Sequence, residues 1–274
     1  MSLINYSGKI VEANIPIFTG ANRGYRYGDG FFETIRVSNG KIRLQNLHVK
    51  RVERSIATLQ YIHPQNSINS IFQQAIELCY SNNFEVSAKV RLSFFNGNGS
   101  AFDENVPLQY LIEAYPLSET ANHLNAEGIT IGICADVTKS CDTYANLKSS
   151  NYLFSRMGIE FARVNSWDDA LILNQFGNIC ESTIANIFWL AQDTIHTPPL
   201  SEGCVQGVMR EYLMSEISVT EKTCTAEDLL QADEIFLTNA TSGLRWVKNL
   251  AGRELSKKVS EKIYVNLVAP LWSL

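Results

Sequence analysis

The sequence predicts an α+β protein of two subdomains, each a mostly antiparallel sheet with flanking helices. Three features carry that expectation. The run "FFETIRVSNGKIRL" sets two β-rich stretches around Asn39-Gly40, a strong hairpin signal. Amphipathic stretches of helical period follow it and recur in the second half. Between about Pro116 and Gly128 the apolar periodicity lapses, and a second series of strands and helices starts beyond it. The expected divisions are residues 1–118, a connection over 119–127, and residues 128–274. A chain of 274 residues is too long for one small core and suits such a division.

The elements read in order as follows. After the hairpin, "QNLHVKRVERSIATLQ" places Val52, Ile56 and Leu59 on one helical face, with Lys50, Arg51, Glu53 and Arg54 around the rest. "SINSIFQQAIELCYSNN" is a second amphipathic helix, and "VSAKVRLSFF" and "PLQYLIEAYP" are strands joined by a Gly/Asn-rich loop. In the second half, "ITIGICADV" predicts a strand and 151–163 a helix. "DDALILNQFGNICESTIANIFWLA" predicts one hairpin turned at Gly177-Asn178. "GVMREYLMSEI" predicts a helix opened by Gly207, and "DEIFLTNATSG" a strand entering a small-residue turn. Repeats and low-complexity segments are not evident.

Composition narrows the function classes. With 45% hydrophobic and 19% charged residues the chain is globular, and a net charge of −5 gives no electrostatic footprint for nucleic acid. The N-terminal "MSLINYSGKIVEANI" lacks the basic-then-apolar order of a signal peptide, and "IANIFWLA" is too short to span a bilayer. The expectation is a cytoplasmic protein with no membrane partner. Cys79, Cys134, Cys141, Cys180, Cys204 and Cys224 contain no C-x-x-C pair, and His48, His63, His123 and His196 are dispersed. Neither a metal site nor a disulfide framework is expected, and most thiols read as small core residues.

Several positions offer chemistry. Lys148 is the only charge between Asp142 and Arg156, so it is either a surface lysine in a turn or an amine in a dry pocket. Glu181 interrupts a run that reads as a buried strand, so it either faces water at an edge or has a partner. Gly207, Val208 and Met209 open a helix whose N–H groups would suit a phosphate. Thr241 and Ser242 follow a strand in a turn of the kind that lines anion pockets, and Arg51 could add a full positive charge. A reactive amine, a carboxylate and an anion site are the requirements of pyridoxal 5′-phosphate. Gly28 and Gly30 read as a tight backbone turn with Asp29 structural between them. Ile187, Phe188 and Trp189 read as core, and His48 as a surface or packing histidine.

Six blocks in one order, "YGDGFFETIRV", "LHVKRVERS", "NLKSSNYL", "GNICESTIANIFW", "GVMRE" and "ADEIFLTNATSG", resemble the class IV (fold-type IV) pyridoxal-phosphate enzymes. That family holds branched-chain and D-amino-acid aminotransferases and 4-amino-4-deoxychorismate lyase. The resemblance implies that Lys148 is the Schiff-base lysine and general acid/base, and that Glu181 pairs with the cofactor's pyridine nitrogen. It further implies that Arg51, the Val208 and Met209 amides and Thr241 hold the phosphate. Tyr152 would lie near the phenolic oxygen, although it follows the lysine one residue sooner than in the branched-chain enzymes. Tyr25, Phe32, Arg91 and Asn239 are the candidates for contact with a small amine or carboxylate substrate. A homodimer is implied as well.

The blocks also bear on the reaction. "GDGFFET" and "LTNA" look most like the lyase, which releases p-aminobenzoate and pyruvate in folate synthesis. Lys89-Val90-Arg91 keeps the arginine of the branched-chain pattern but not its tyrosine. Phe94-Phe95 stands where D-amino-acid enzymes, and many lyases, carry another arginine. The lyase is the favoured expectation, with a branched-chain or D-amino-acid aminotransferase as the alternative. A non-catalytic cofactor-binding relative is disfavoured, because Lys148 and Glu181 are both present.

Overall fold

A computed structural model describes residues 2–104 and 106–273. The chain groups into two compact units: the first runs through Glu119 and takes in Leu147–Asn151, and the second holds Thr120–Asn146 and Tyr152–Ser273.

The first unit is a six-stranded sheet with one short helix and two long ones. Its strands β1 (Leu3–Tyr6) and β2 (Lys9–Glu12) precede a short helix α1 (Arg23–Tyr27), which Asn22 caps by accepting the Tyr25 N–H at 3.0 Å. Strands β3 (Gly30–Ser38) and β4 (Lys41–Ile42) form the hairpin at Asn39-Gly40, where φ is 50° and 68°. Both residues are left-handed, which matches a two-residue loop to the twist of its strands. Helices α2 (Gln45–Thr58) and α3 (Ile68–Ser81) follow, then β5 (Ser87–Asn96) and β6 (Leu108–Pro116). The order is β2-β1-β6-β5-β3-β4 with every pairing antiparallel. Alternate residues of β3 and β5, including Phe31, Ile35, Val37, Val90 and Leu92, pack against Val52, Ile56 and Phe72 of the helices.

The second unit is built around a nine-stranded sheet. Its elements are β7 (Ile129–Lys139), α4 (Leu153–Val164), β8 (Asp169–Asn174), β9 (Ile179–Ser182), β10 (Asn186–Ala191), β11 (Thr194–Thr197) and α5 (Val208–Glu216). They continue as β12 (Thr220–Glu221), α6 (Ala226–Gln231), β13 (Glu234–Asn239), β14 (Gly243–Leu250), β15 (Arg253–Glu254), α7 (Lys258–Ile263) and α8 (Ala269–Ser273), with one π turn before α8. The order is β12-β11-β10-β13-β14-β7-β8-β9, and β15 flanks β14. Most pairs are antiparallel, but β12 lies parallel to β11, and β7 parallel to both β14 and β8, the latter joined to it through α4.

Two local expectations change. Residues 169–191 are not one hairpin: β9 pairs with β8, whereas β10 leaves to pair with β11 and β13. The corner is made by the buried Asp169 carboxylate, which accepts from Ser182 Oγ at 3.1 Å and Thr183 Oγ1 at 2.6 Å and binds Arg245 at 2.8 Å. Those bonds turn the chain at Ser182 and Thr183, where the sequence suggested one strand continuing to Ala191. The Lys148 segment, assigned by sequence to the second half, groups with the first unit because its backbone pairs with β3.

Ile187, Phe188 and Trp189 are buried, and Phe188 stacks on Phe236 with ring centroids 5.1 Å apart. All six cysteines are free and all but Cys141 are buried. Among the described residues no helix is long and apolar enough to cross a membrane, and no cluster could hold a metal ion.

Candidate active site

In the first unit, Lys148 is held by the edge of β3. The Phe32 N–H donates to the Lys148 carbonyl at 2.9 Å and the Ser150 N–H to the Gly30 carbonyl at 2.9 Å. That pairing sets Lys148 across from Phe32, and the Lys148 nitrogen lies 4.5 Å from the Phe32 ring centroid. Arg91, from β5, stacks on the same ring at 3.8 Å and donates through Nε to Ser93 Oγ at 3.2 Å. Phe32 lies outside the core cluster that holds Phe31, so this is the face of the sheet away from α2 and α3. The preceding turn is tight: Gly28 has φ 63°, and a side chain on Gly30 would run into the Phe94 carbonyl. Asp29 between them is structural, accepting from Arg23 Nε at 2.7 Å, Asn96 Nδ2 at 3.1 Å and Tyr61 Oη at 2.5 Å.

On the core face, Glu33 receives Arg51 through Nε and Nη2, both at 2.7 Å, and His48 Nδ1 at 2.5 Å. The helical pattern put Arg51 among the polar residues, and the structure buries it instead, because a β3 carboxylate waits beneath α2. His48 is packed without exposure. Burial alone would raise the Glu33 carboxyl, yet the Arg51 charge and the His48 hydrogen bond outweigh it and hold it down to about 2. For His48, burial is the largest influence and pushes the imidazole down against the pull of Glu33. An ionised Glu33 only accepts, so His48 Nδ1 carries the proton, and Nε2 has no hydrogen-bond partner among the described residues.

In the second unit, Glu181 on β9 is 4% exposed. Its Oε1 meets the Lys139 ammonium and its Oε2 accepts the Val205 N–H at 2.9 Å. Of the two readings open for this residue, the partnered one holds. Sequence reasoning missed Lys139, two residues past the run read as a strand. A bulge between Cys134 and Thr138 carries β7 on to it.

The loop after Val205 leads into α5. Asn186 Nδ2 donates to the Val205 carbonyl at 2.8 Å, and the Gln206 N–H to Asn146 at 3.1 Å. Gly207 then caps α5 with no side-chain hydrogen bond, leaving the Val208 and Met209 amides at an uncapped helix start. A Cβ on Gly207 would collide with the Asn186 side-chain oxygen, so only glycine fits this approach. At the end of β13, Asn239 Oδ1 accepts the Thr241 and Ser242 N–H groups at 3.0 and 2.8 Å and shapes the turn. Tyr152 precedes α4 and donates its hydroxyl to the Thr183 carbonyl at 3.1 Å. Tyr25 is exposed, whereas Phe32 is buried.

Unit by unit, these donors suit a phosphorylated pyridine aldehyde. The first unit offers an amine on an aromatic surface. The second offers a buried carboxylate bonded to the Val205 N–H, three residues before Val208 at a helix N-terminus that a glycine keeps open.

Comparison with known proteins agrees. The model of the amino-transferase class IV family matches residues 30–250. Aminodeoxychorismate lyase of Vibrio harveyi is 28% identical over 89% of this chain and 90% of its own. D-alanine aminotransferase of Bacillus licheniformis is 23% identical over 91% of this chain and 89% of its own. The branched-chain aminotransferase of Thermoproteus uzoniensis shares the fold with a TM-score of 0.87 at 24% identity, over 99% of this chain and 96% of that one. The chain therefore belongs to the amino-transferase class IV family and is a pyridoxal-phosphate-dependent enzyme of the fold-type IV architecture.

Proposed function

We propose that the enzyme is a lyase that converts 4-amino-4-deoxychorismate to p-aminobenzoate and pyruvate. The observation that carries this reading is the Phe32 ring 4.5 Å from the Lys148 amine, an aromatic surface beside the base. An aromatic surface beside the base suits a cyclic amine that departs as a flat ring. Arg91, stacked on the same ring at 3.8 Å, can bind a carboxylate in either reading below. The likeness to an aminodeoxychorismate lyase over nearly the whole chain supports it.

In this reading Lys148 bonds the cofactor covalently and Glu181 pairs with its ring nitrogen. The Val208 and Met209 amides and Thr241 take the phosphate and Tyr152 the phenolic oxygen; Arg51, whose guanidinium Glu33 already holds on the core face of β3, adds its charge. When bound, the cofactor supplies an electron sink for the substrate carbon that bears nitrogen. Lys148, freed by the incoming substrate amine, removes the proton from that carbon. It then delivers a proton to the departing enolpyruvyl fragment, which leaves as pyruvate. Arg91 holds a substrate carboxylate against Phe32, with Tyr25 and Asn239 as further contacts. The working form is a cytoplasmic homodimer.

A branched-chain or D-amino-acid aminotransferase is the second reading, favoured by Arg91, which the branched-chain pattern also has, and by the D-alanine aminotransferase relative. Purified protein given 4-amino-4-deoxychorismate, and separately amino acids with 2-oxoglutarate, decides between them. Pyruvate and p-aminobenzoate from the first and no amino transfer in the second is the expected result; the reverse pattern overturns the lyase. Borohydride should attach the cofactor to Lys148, and an absent adduct there refutes both readings.

A further inference from the structure

The second unit buries a lysine that the chemistry above does not use. Lys139 closes β7, level with Asn174 of β8. Its side chain is 6% exposed and that of its partner Glu181 5%. The Phe154 ring lies 5.2 Å from the Lys139 nitrogen, and Cys180 and Cys204 are buried nearby. Burial first, and then the Glu181 charge, push both thiols up, so neither takes the place of an ion.

A carboxylate in such dry surroundings persists as an ion only when it is paired and hydrogen-bonded. Glu181 has one protein donor on each oxygen, Lys139 on Oε1 and the Val205 N–H on Oε2. Each carboxylate oxygen offers two acceptor positions, so this arrangement fixes the plane of the group and leaves capacity for one more N–H. We propose that Lys139 is a positioning residue for the cofactor's ring nitrogen, acting through Glu181 by holding that carboxylate in place and oriented. The inference rests on the cofactor roles given under the proposed function and deepens them. Lys139 acts through its bond to Glu181 Oε1.

The test uses the full-length protein and measures binding, with no turnover required. Dissociation constants are measured for pyridoxal phosphate and for its 1-deaza analogue, in which carbon replaces the ring nitrogen. K139M should weaken pyridoxal phosphate by about tenfold or more, the scale seen when a partner that orients a binding group is lost. K139R should bind close to wild type, and the 1-deaza analogue should bind wild type and K139M equally. Equal weakening of both compounds would mean that Lys139 only supports the fold, and would overturn the inference. If K139M does not fold, K139M/E181Q is compared with E181Q. The two should bind alike, and a further loss in the double variant overturns the proposal. So does a borohydride adduct on Lys139 in place of Lys148. A wild-type protein that takes up no pyridoxal phosphate is a different result: it removes the cofactor roles themselves, and this inference with them.

Discussion

Glu33 grips Arg51 with two hydrogen bonds of 2.7 Å, binding β3 to α2 inside the core of the first unit. Its carboxyl, held down to about 2 against a usual 4.5, links stability to pH. A depressed carboxyl contributes stability that is complete above its unfolded value and is lost as pH falls through its folded value. His48, also depressed, acts in the same sense below its ordinary 6.5. Stability should therefore fall steadily on acidification from neutral pH toward about 2. E33Q should lower stability at pH 7 by about 3 kcal/mol, as expected for breaking a buried pair. It should also flatten the dependence between pH 4.5 and 2, measured by urea titration across pH.

Gly207 is the next point of tension. G207A forces a methyl group against the Asn186 side chain, which holds the Val205 carbonyl at 2.8 Å. The start of α5 must shift, and with it the amides assigned to the phosphate. Cofactor affinity should drop by about tenfold or more, the equivalent of about 1.4 kcal/mol, while the thermal midpoint of the cofactor-free protein moves much less. Equal loss in both would remove α5 from the phosphate role.

Arg91 should matter to substrate and not to cofactor. R91M should raise KM for a carboxylate substrate by about tenfold or more, from the loss of a charge-assisted hydrogen bond. Visible-band titration should show cofactor affinity unchanged. A variant with normal KM would exclude Arg91 as the carboxylate binder.

Asp169 is a structural prediction. It joins Ser182, Thr183 and Arg245, and is 2% exposed. D169N strands Arg245 and weakens the β9–β10 corner, so stability should fall by about 3 kcal/mol. Hydrogen exchange should quicken at Ser182 and Thr183 before it does at β13.

Much of this molecule is legible in one dimension. The Asn39-Gly40 turn, helices α2 and α3, and the glycine start of α5 follow from local backbone preference and apolar period, which act within a few residues. Lys148 and Glu181 could be singled out because a lone charge in an apolar or neutral run is costly if that run is buried. What settled that cost was not legible. Arg51 reads as one more polar residue on α2 until β3 supplies Glu33, and Lys139 reads as the residue after a strand until a bulge sets it on Glu181. Nor could the pattern of 169–191 reveal that Asp169 would break it in two. Each of these partners comes from a distant part of the chain, and which side chains meet depends on strand register and on which face is covered. Local preference determined the elements and exposed the unusual charges; tertiary packing alone decided their partners.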